Sequence, residues 1–282
     1  MRIFLAGATG VIGRQVIPRL IAEGHQVTGL TRREADTAAL RRQGAQAVVA
    51  DVYDAPGLTK AMIEVQPEVV MHQLTDLSGG NFQANSDIRR RGTRNLVDAA
   101  LTVGVTRIIA QSIAWAYEPG DDPADESTPL DLGAAAPRLQ TVQAVSQLEE
   151  TVAEAPEWVV LRYGLFYGPG TWYTKGALMD DQLRAGKLVP TTDITSFVHI
   201  EDAAAAAVQA LAWPTGPVNI VDNEPAAATD WIPTFAASAG APTPPATTGD
   251  RQKWARGATN THARTHLGWT PQHPTWRTGF NS

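Results

Sequence analysis

Within the first thirteen residues, "MRIFLAGATGVIG", an apolar run ends at Gly7 and an amphipathic run starts at Val11, with glycines at positions 7, 10 and 13. A strand that turns directly into a helix needs its first glycine for the tight turn. The second lets a ligand approach the backbone, and the third lets helix and strand pack closely. The helix N-terminus adds unpaired N–H groups and the positive end of a dipole. This spacing predicts a βαβ unit whose first turn, Gly7, Thr9, Gly10, Val11, Ile12 and Gly13, holds the pyrophosphate of a dinucleotide.

The rest of the N-terminal half keeps the same rhythm. Apolar or β-branched runs at 2–7, 26–32, 45–51, 68–74, 106–112 and 158–164 alternate with helix-length segments such as 11–23 and 93–103, which end at Gly24 and Gly104. Such alternation predicts an α/β fold, a Rossmann doubly wound parallel sheet buried on both faces. After residue 165 Pro, Gly, Thr and Trp increase and the rhythm loosens, so residues 1–165 are expected to form the dinucleotide domain and 166–282 a smaller substrate lobe. Within that lobe 193–222 is expected to return to the main sheet through a strand, an Ala-rich helix and a strand at 217–222. Segment 240–250 reads as a loop, and 260–280 as a short helix and an aromatic tail folded onto the lobe.

Composition excludes several classes of function. A net charge of −6 with scattered basic residues argues against nucleic acid or an anionic membrane as partner, and the Arg89-Arg90-Arg91 run is expected to face solvent. The absence of cysteine removes disulfides, thiolate metal sites and cysteine nucleophiles, and agrees with a cytoplasmic location. No run approaches the ~20 apolar residues of a membrane span, and Arg2 leads straight into a strand pattern without a signal-peptide core.

The end of the second strand normally meets the adenine ribose. Thr31-Arg32-Arg33 offers a hydroxyl and two guanidiniums there, where an acid would mark a bare 2′-hydroxyl, so NADP is expected over NAD. Asp51 and Val52 close the third strand near the adenine. Gln73, Leu74 and Thr75 leave the fourth at the edge where the cofactor ribose lies.

Five stretches now show a resemblance: "GATGVIG", "RGTRNLVDAALTVGVTRIIAQS" 91–112, "LRYGLFYGPG" 161–170, "FVHIEDAA" 197–204 and "LGWTP" 267–271. In this order the chain resembles the extended and atypical short-chain dehydrogenase/reductase family, the branch with nucleotide-sugar epimerases and dehydratases. That family carries a Ser or Thr after the fifth strand and a Tyr-x-x-x-Lys on the next helix, and the lysine lowers the phenol pKa so that tyrosine exchanges a proton while the nicotinamide moves hydride. Here no tyrosine has a lysine four residues later, and no lysine stands between Lys60 and Lys175. Counting back from Glu149, which matches a family glutamate, the Tyr and Lys positions fall on Thr141 and Val145. Counting from Tyr117, the Ser/Thr position falls on Ile113, next to Ser112, and a family Asn is Arg89. The cofactor cradle is kept and the proton relay is not.

Four residues remain as candidates for chemistry. Tyr163, which ends the sixth strand where family members approach the nicotinamide, and Tyr117 carry phenols; Ser112 can bond substrate; Asp76 is the carboxylate at that sheet edge and the candidate base for a non-redox reaction. Each has a structural alternative, a packed ring for the tyrosines and a loop-opening Asp for Asp76. Trp115, Trp172, Tyr173 and Phe197, with Trp254, are expected to floor a pocket for a flat or apolar substrate, whereas Trp269 and Trp276 are expected in the lobe's core. Arg138 either meets an acidic or phenolate substrate or caps a surface, and Thr141 faces the same site. His72 and His199 read as satisfied core histidines. His262 and His266 share a helical spacing, but no Glu follows the first, so no metal is expected.

Three functions follow. The first is an NADP-dependent reductase of a small aromatic, polyketide-like or modified-sugar metabolite that works without the usual relay. The second is a non-redox isomerase, dehydratase or cyclase that retains the nucleotide. The third is a nucleotide-sensing module. The family resemblance also implies a homodimer through the fourth helix and the 137–155 helix.

Overall fold

Burial on both faces turns the short apolar runs of the N-terminal half into parallel strands. In the computed structural model, which describes residues 1–76 and 82–281, the chain runs through β1 (Arg2–Ala6), α1 (Val11–Ala22), β2 (Gln26–Thr31), α2 (Thr37–Arg42), β3 (Gln46–Val49) and α3 (Ala55–Val65). It continues through β4 (Val69–His72), α4 (Phe82–Asp87), a π-helical turn at Ile88–Gly92, α5 (Thr93–Thr102), β5 (Arg107–Ile113), α6 (Arg138–Val152) and β6 (Glu157–Tyr163). The remaining elements are β7 (Leu165–Tyr167), α7 (Leu178–Arg184), β8 (Ile194–Thr195), β9 (Phe197–His199), α8 (Ile200–Gln209), β10 (Gly216–Ile220), β11 (Ala226–Ala227), α9 (Ala228–Ala239), α10 (Thr261–His266) and α11 (Trp276–Gly279).

The main parallel sheet has seven strands in the order β10-β6-β5-β4-β1-β2-β3. Strand order reverses beside β1, whose neighbours are β2 and β4, both parallel to it. This is the switch point at which open α/β sheets bind ligands, outside the carboxyl ends of the strands. The strand expected at 217–222 is β10, which takes the outer place next to β6.

Two compact units divide the chain, the first made of Met1–Ser112, Leu132–Leu161 and Ala204–Pro217, the second of Ile113–Asp131, Arg162–Ala203 and Val218–Ser282. The first unit has a continuous apolar core that includes Phe4, Met62, Leu96, Ile108, Leu148 and Val160. Each such side chain contributes about 1.5–3 kcal/mol by leaving water.

The second unit is built around aromatic rings. Tyr173 meets Phe197, Trp231 and Phe235 edge-on at centroid distances of 5.3, 5.7 and 5.6 Å. Its small β-pairs are β7 with β9, parallel, and β8 with β11, antiparallel. The tail is fastened by buried carboxylates. Asp202 accepts the Gln272 and His273 N–H groups at 2.8 and 2.9 Å, and Asp222 accepts the Trp276 N–H at 2.9 Å. Trp269 and Trp276 are fully enclosed, as the sequence leads one to expect. Among the described residues no helix is long and apolar enough to cross a membrane.

Candidate functional site

The glycine turn of the first unit has the geometry its spacing demands. Gly7 adopts φ +91°, and a Cβ there would lie 2.4 Å from the Gln73 carbonyl oxygen. A Cβ at Gly13 would lie 2.3 Å from the Gly7 carbonyl oxygen, so α1 rests directly on the loop. Helix α1 starts at Gly10 without a side-chain cap or an acidic residue in its first turn, which leaves its N–H groups for an anion. Val11 at this end is 38% exposed. Thr9 is half-buried and Ile12 is buried beneath the turn.

Beside Gly7, the Gln73 side chain is buried and neither its Oε1 nor its Nε2 has a hydrogen-bond partner. A buried amide with both ends unsatisfied costs on the order of 1–3 kcal/mol. A ribose hydroxyl donating and accepting there would remove that cost. The cradle closed by Gly7 and Gly13 and this orphaned amide together fit a dinucleotide. Leu74 is half-buried, its carbonyl accepting from Gln111 Nε2 at 2.6 Å, and Thr75 is exposed.

At the end of β2 the three expected groups separate. Thr31 Oγ1 donates to Asp36 and accepts the Arg33 N–H at 3.1 and 3.2 Å. Arg33 grips both Asp36 oxygens, at 2.8 and 3.0 Å, and this hydrogen bonding holds the Asp36 carboxyl below its ordinary range. Arg32 is exposed and makes no ion pair or hydrogen bond among the described residues. Asp36, which sequence reasoning missed, lies five residues past Thr31 and reaches it only through a short 3₁₀ turn. Asp51 Oδ1 accepts the Tyr53 N–H at 2.9 Å in a local turn, and the buried Val52 gives its carbonyl to Asn95 at 2.9 Å.

Ser112 and Asp76 end in the same unit. Ser112 Oγ donates to Glu149 Oε1 of α6 at 2.7 Å. Arg89 is a charge on which Glu149 acts: it is 5% exposed, its Nε is buried without a partner, and burial lowers its pKa to about 10 against the pull of Glu149. The solvent-facing expectation is therefore corrected for Arg89, and the π-helical turn on which it lies accounts for the altered face. Arg91 is exposed and lies over the Tyr53 ring. His72, pushed down to about 4 by burial and then by Arg89, has Nε2 2.8 Å from Thr93 Oγ1. The Asp76 N–H donates to Asn85 Oδ1 at 3.2 Å, and the segment after it, 77–81, lies outside the described residues. Thr141 and Arg138 are half-buried on α6, and Val145 is fully buried.

In the second unit Tyr163 is buried, with its hydroxyl 3.5 Å from the Ala203 carbonyl and its ring against Phe166. Tyr117 is more tightly held. Its hydroxyl donates to Asn219 and accepts from Arg162 at 3.1 Å, with the guanidinium over the ring. The expected aromatic floor splits in two. Tyr173 and Phe197 lie inside the unit's aromatic core with Trp172 packed against it, because each finds several ring neighbours there. Trp115 instead lines a cavity of about 310 Å³ with Trp254, Leu165, Ile194, Asp193 and Arg256. The last four of these were not singled out by sequence reasoning, and for Arg256 the reason is that 251–257 has no periodicity to mark it.

His199, Asp202 and His273 bring potential ligand atoms within 4.8 Å of one another. Their geometry serves packing. The two imidazoles stack at 3.6 Å with planes 29° apart, so their in-plane lone pairs do not converge, and both Asp202 oxygens already accept backbone N–H groups.

The comparisons with known proteins agree with this arrangement. The NAD dependent epimerase/dehydratase family matches residues 3–221. A 3-diazoavenalumate denitrifying reductase of a Streptomyces species is 41% identical over 99% of this chain and 99% of its own length. A UDP-glucose 4-epimerase of Mycolicibacterium smegmatis is 28% identical, covering 96% of this chain and 94% of its own. Among solved structures, the Bordetella bronchiseptica enzyme WbmG in complex with NAD and UDP has a TM-score of 0.79 at 19% identity, over 99% of this chain and 91% of that one. The Thermus thermophilus UDP-glucose 4-epimerase in complex with NAD has a TM-score of 0.76 at 22% identity, over 100% and 97%. The chain belongs to the NAD dependent epimerase/dehydratase family.

Proposed function

We propose that this protein is an NADPH-dependent reductase that replaces the diazo group of a small aromatic metabolite by hydrogen and releases dinitrogen. One observation carries the reading: the relative that matches the chain from end to end at 41% identity is a denitrifying reductase of a diazo acid. The residues of α6 support it. Reduction of a carbonyl leaves an alkoxide that must be protonated, which is the task of a Tyr-Lys pair. Thr141 and Val145 stand where that pair is expected, and neither can donate such a proton. Reductive loss of nitrogen makes no alkoxide: an arenediazonium and a hydride, supplied by the bound dinucleotide, become an arene and N₂ with atoms, charge and electrons balanced. A chain that has kept its cradle and lost its relay suits that chemistry.

The residues of this chain then have defined tasks. Gly7, Gly10 and Gly13 hold the pyrophosphate, Gln73 the ribose, and Arg32 the 2′-phosphate, while Arg33 is committed to Asp36. Ser112, its proton directed at Glu149, presents lone pairs to a donor on the substrate. Tyr117 is an anchor between Asn219 and Arg162. No residue is required to pass a proton to carbon-bound oxygen.

The test is incubation of the protein and NADPH with a hydroxyarene diazonium carboxylate, following NADPH absorbance, nitrogen release and the denitrified arene together. Equal amounts of all three are expected. Nitrogen loss at the uncatalysed rate, with NADPH bound and unconsumed, would sink the reading. That outcome would leave non-redox chemistry based on Asp76, or nucleotide sensing, as the function.

A further inference from the structure

The cavity of the second unit has two properties that together point to a ligand. Its walls are aromatic and aliphatic, from Trp115, Trp254, Leu165 and Ile194, and Trp254 stays 37% exposed although it is among the largest apolar side chains of the chain. An indole that lines a cavity and keeps more than a third of its surface exposed offers area to a flat ligand.

The second property is a cation with no ion pair among the described residues, although its charge reaches Asp121 at longer range. Arg256 Nε donates to the Asp122 carbonyl and its Nη1 to the Glu118 carbonyl at 3.3 Å, while its guanidinium lies so close to Gly120 that a Cβ there would be 2.2 Å from it. Two carbonyls and a glycine therefore fix its orientation without neutralising it. Among the described residues no carboxylate lies within ion-pair distance of Arg256, whereas the neighbouring Arg251 and Lys253 both pair with Asp121. The other charged group of the lining, Asp193, accepts the Gln252 N–H at 2.8 Å through Oδ1 alone. One oriented cation and one carboxylate match a ligand with a single negative charge and a hydroxyl donor. They do not match a diphosphate, whose two charges would face Asp193 with one guanidinium to offset them.

We infer that this cavity binds a planar aromatic carboxylic acid, its ring against Trp115 and Trp254, its carboxylate on Arg256 and a hydroxyl on Asp193. The inference rests on the proposed reductase activity for the identity of the reacting group, and its test reads binding alone. A volume of about 310 Å³ stands at the small end of ligand pockets, which run to roughly 1,000 Å³.

The probe is 4-hydroxycinnamate, which has no diazo group, titrated by tryptophan fluorescence and calorimetry against the whole protein saturated with NADP⁺. The matched alcohol, 4-hydroxycinnamyl alcohol, and UDP-glucose serve as comparators. The acid is expected to bind about tenfold more tightly than the alcohol, with UDP-glucose no competitor. Arg256→Gln should erase the preference for the acid and leave the alcohol unchanged, whereas a merely structural Arg256 would lower both equally. Trp254→Ala should weaken acid and alcohol alike by about tenfold. Competition by UDP-glucose, or acid binding that neither substitution changes, would overturn the assignment. If the acid binds in this way and diazo compounds are not reduced, the site stands and the reductase reading fails by itself.

Discussion

Ser112 Oγ lies 2.7 Å from Glu149 Oε1 and donates its proton to that carboxylate, so the hydroxyl at the end of β5 is already committed as a donor. A group in this state holds a substrate better than it protonates one. Ser112→Ala is therefore expected to raise KM severalfold and to lower kcat by less than about tenfold, below the ~10²–10⁴ lost with a true general acid. Steady-state kinetics with the proposed diazo substrate checks the split. Glu149→Gln is expected to lower stability as well, because it removes the negative charge that acts on the buried Arg89. Urea unfolding measures that loss.

Arg32 and Arg33 are adjacent and have different surroundings. Arg32→Ala should weaken NADPH by about tenfold or more, the value of a charge-assisted hydrogen bond, and leave NADH unchanged. Arg33→Ala should do little to NADPH, since its guanidinium is held on Asp36 at 2.8 and 3.0 Å. Asp36→Asn should tighten NADPH by freeing Arg33. Equal loss of both nucleotides in Arg32→Ala would refute the 2′-phosphate role.

Tyr163→Phe removes a hydroxyl that lies 3.5 Å from the Ala203 carbonyl oxygen. With no alkoxide to protonate, activity should stay within about threefold of the parent, far from the ~10²-fold or greater loss expected of a catalytic acid. A loss of that larger size, with nucleotide binding intact, would restore Tyr163 as the proton donor.

Asp222 is buried in the second unit, and burial raises its pKa to about 8 in spite of N–H bonds from Glu224 and Trp276. An unfolded Asp titrates near about 3.9. Between these values the folded state holds a proton that the unfolded state has released, so stability falls as pH rises through that window. Denaturant midpoints from pH 4 to 8 should show the slope, and Asp222→Asn should flatten it.

Gly7→Ala should abolish nucleotide binding, because the added Cβ meets backbone at 2.4 Å and the residue has φ +91°. Gly24→Ala is the control: its φ of +81° is similarly strained but nothing lies within 4 Å, so it should cost about 1–2 kcal/mol of stability and leave NADPH binding intact. Thermal shift with and without NADPH separates the two.

What could be read from sequence was what local spacing encodes. Three glycines at 7, 10 and 13 between a strand and a helix point to a dinucleotide turn, and apolar runs alternating with helix-length segments point to a parallel sheet buried on both faces. Side-chain partnerships escaped. Nothing in "TRREAD" says that Arg33 will fold back onto Asp36 and Arg32 will not. The π-helical turn that carries Arg89 inward has no signature beyond its three arginines. Aromatic residues signal burial without saying which core receives them, so Tyr173 and Phe197 could be placed in a pocket floor as easily as in the packing that holds them. Arg256 lay in a loop, where identity alone does not reveal an unpaired charge.

The carboxylates that fasten the tail also govern the order of events during synthesis. Asp202 and Asp222 wait for the N–H groups of Gln272, His273 and Trp276, and the aromatic core waits for Trp276 and Phe280. Translation adds roughly 5–20 residues per second and domains generally close as units. The second unit therefore cannot complete its core on the ribosome until the tail has left the exit tunnel, and a nascent chain stalled before residue 272 exposes two buried acids and an open ring cluster to quality control.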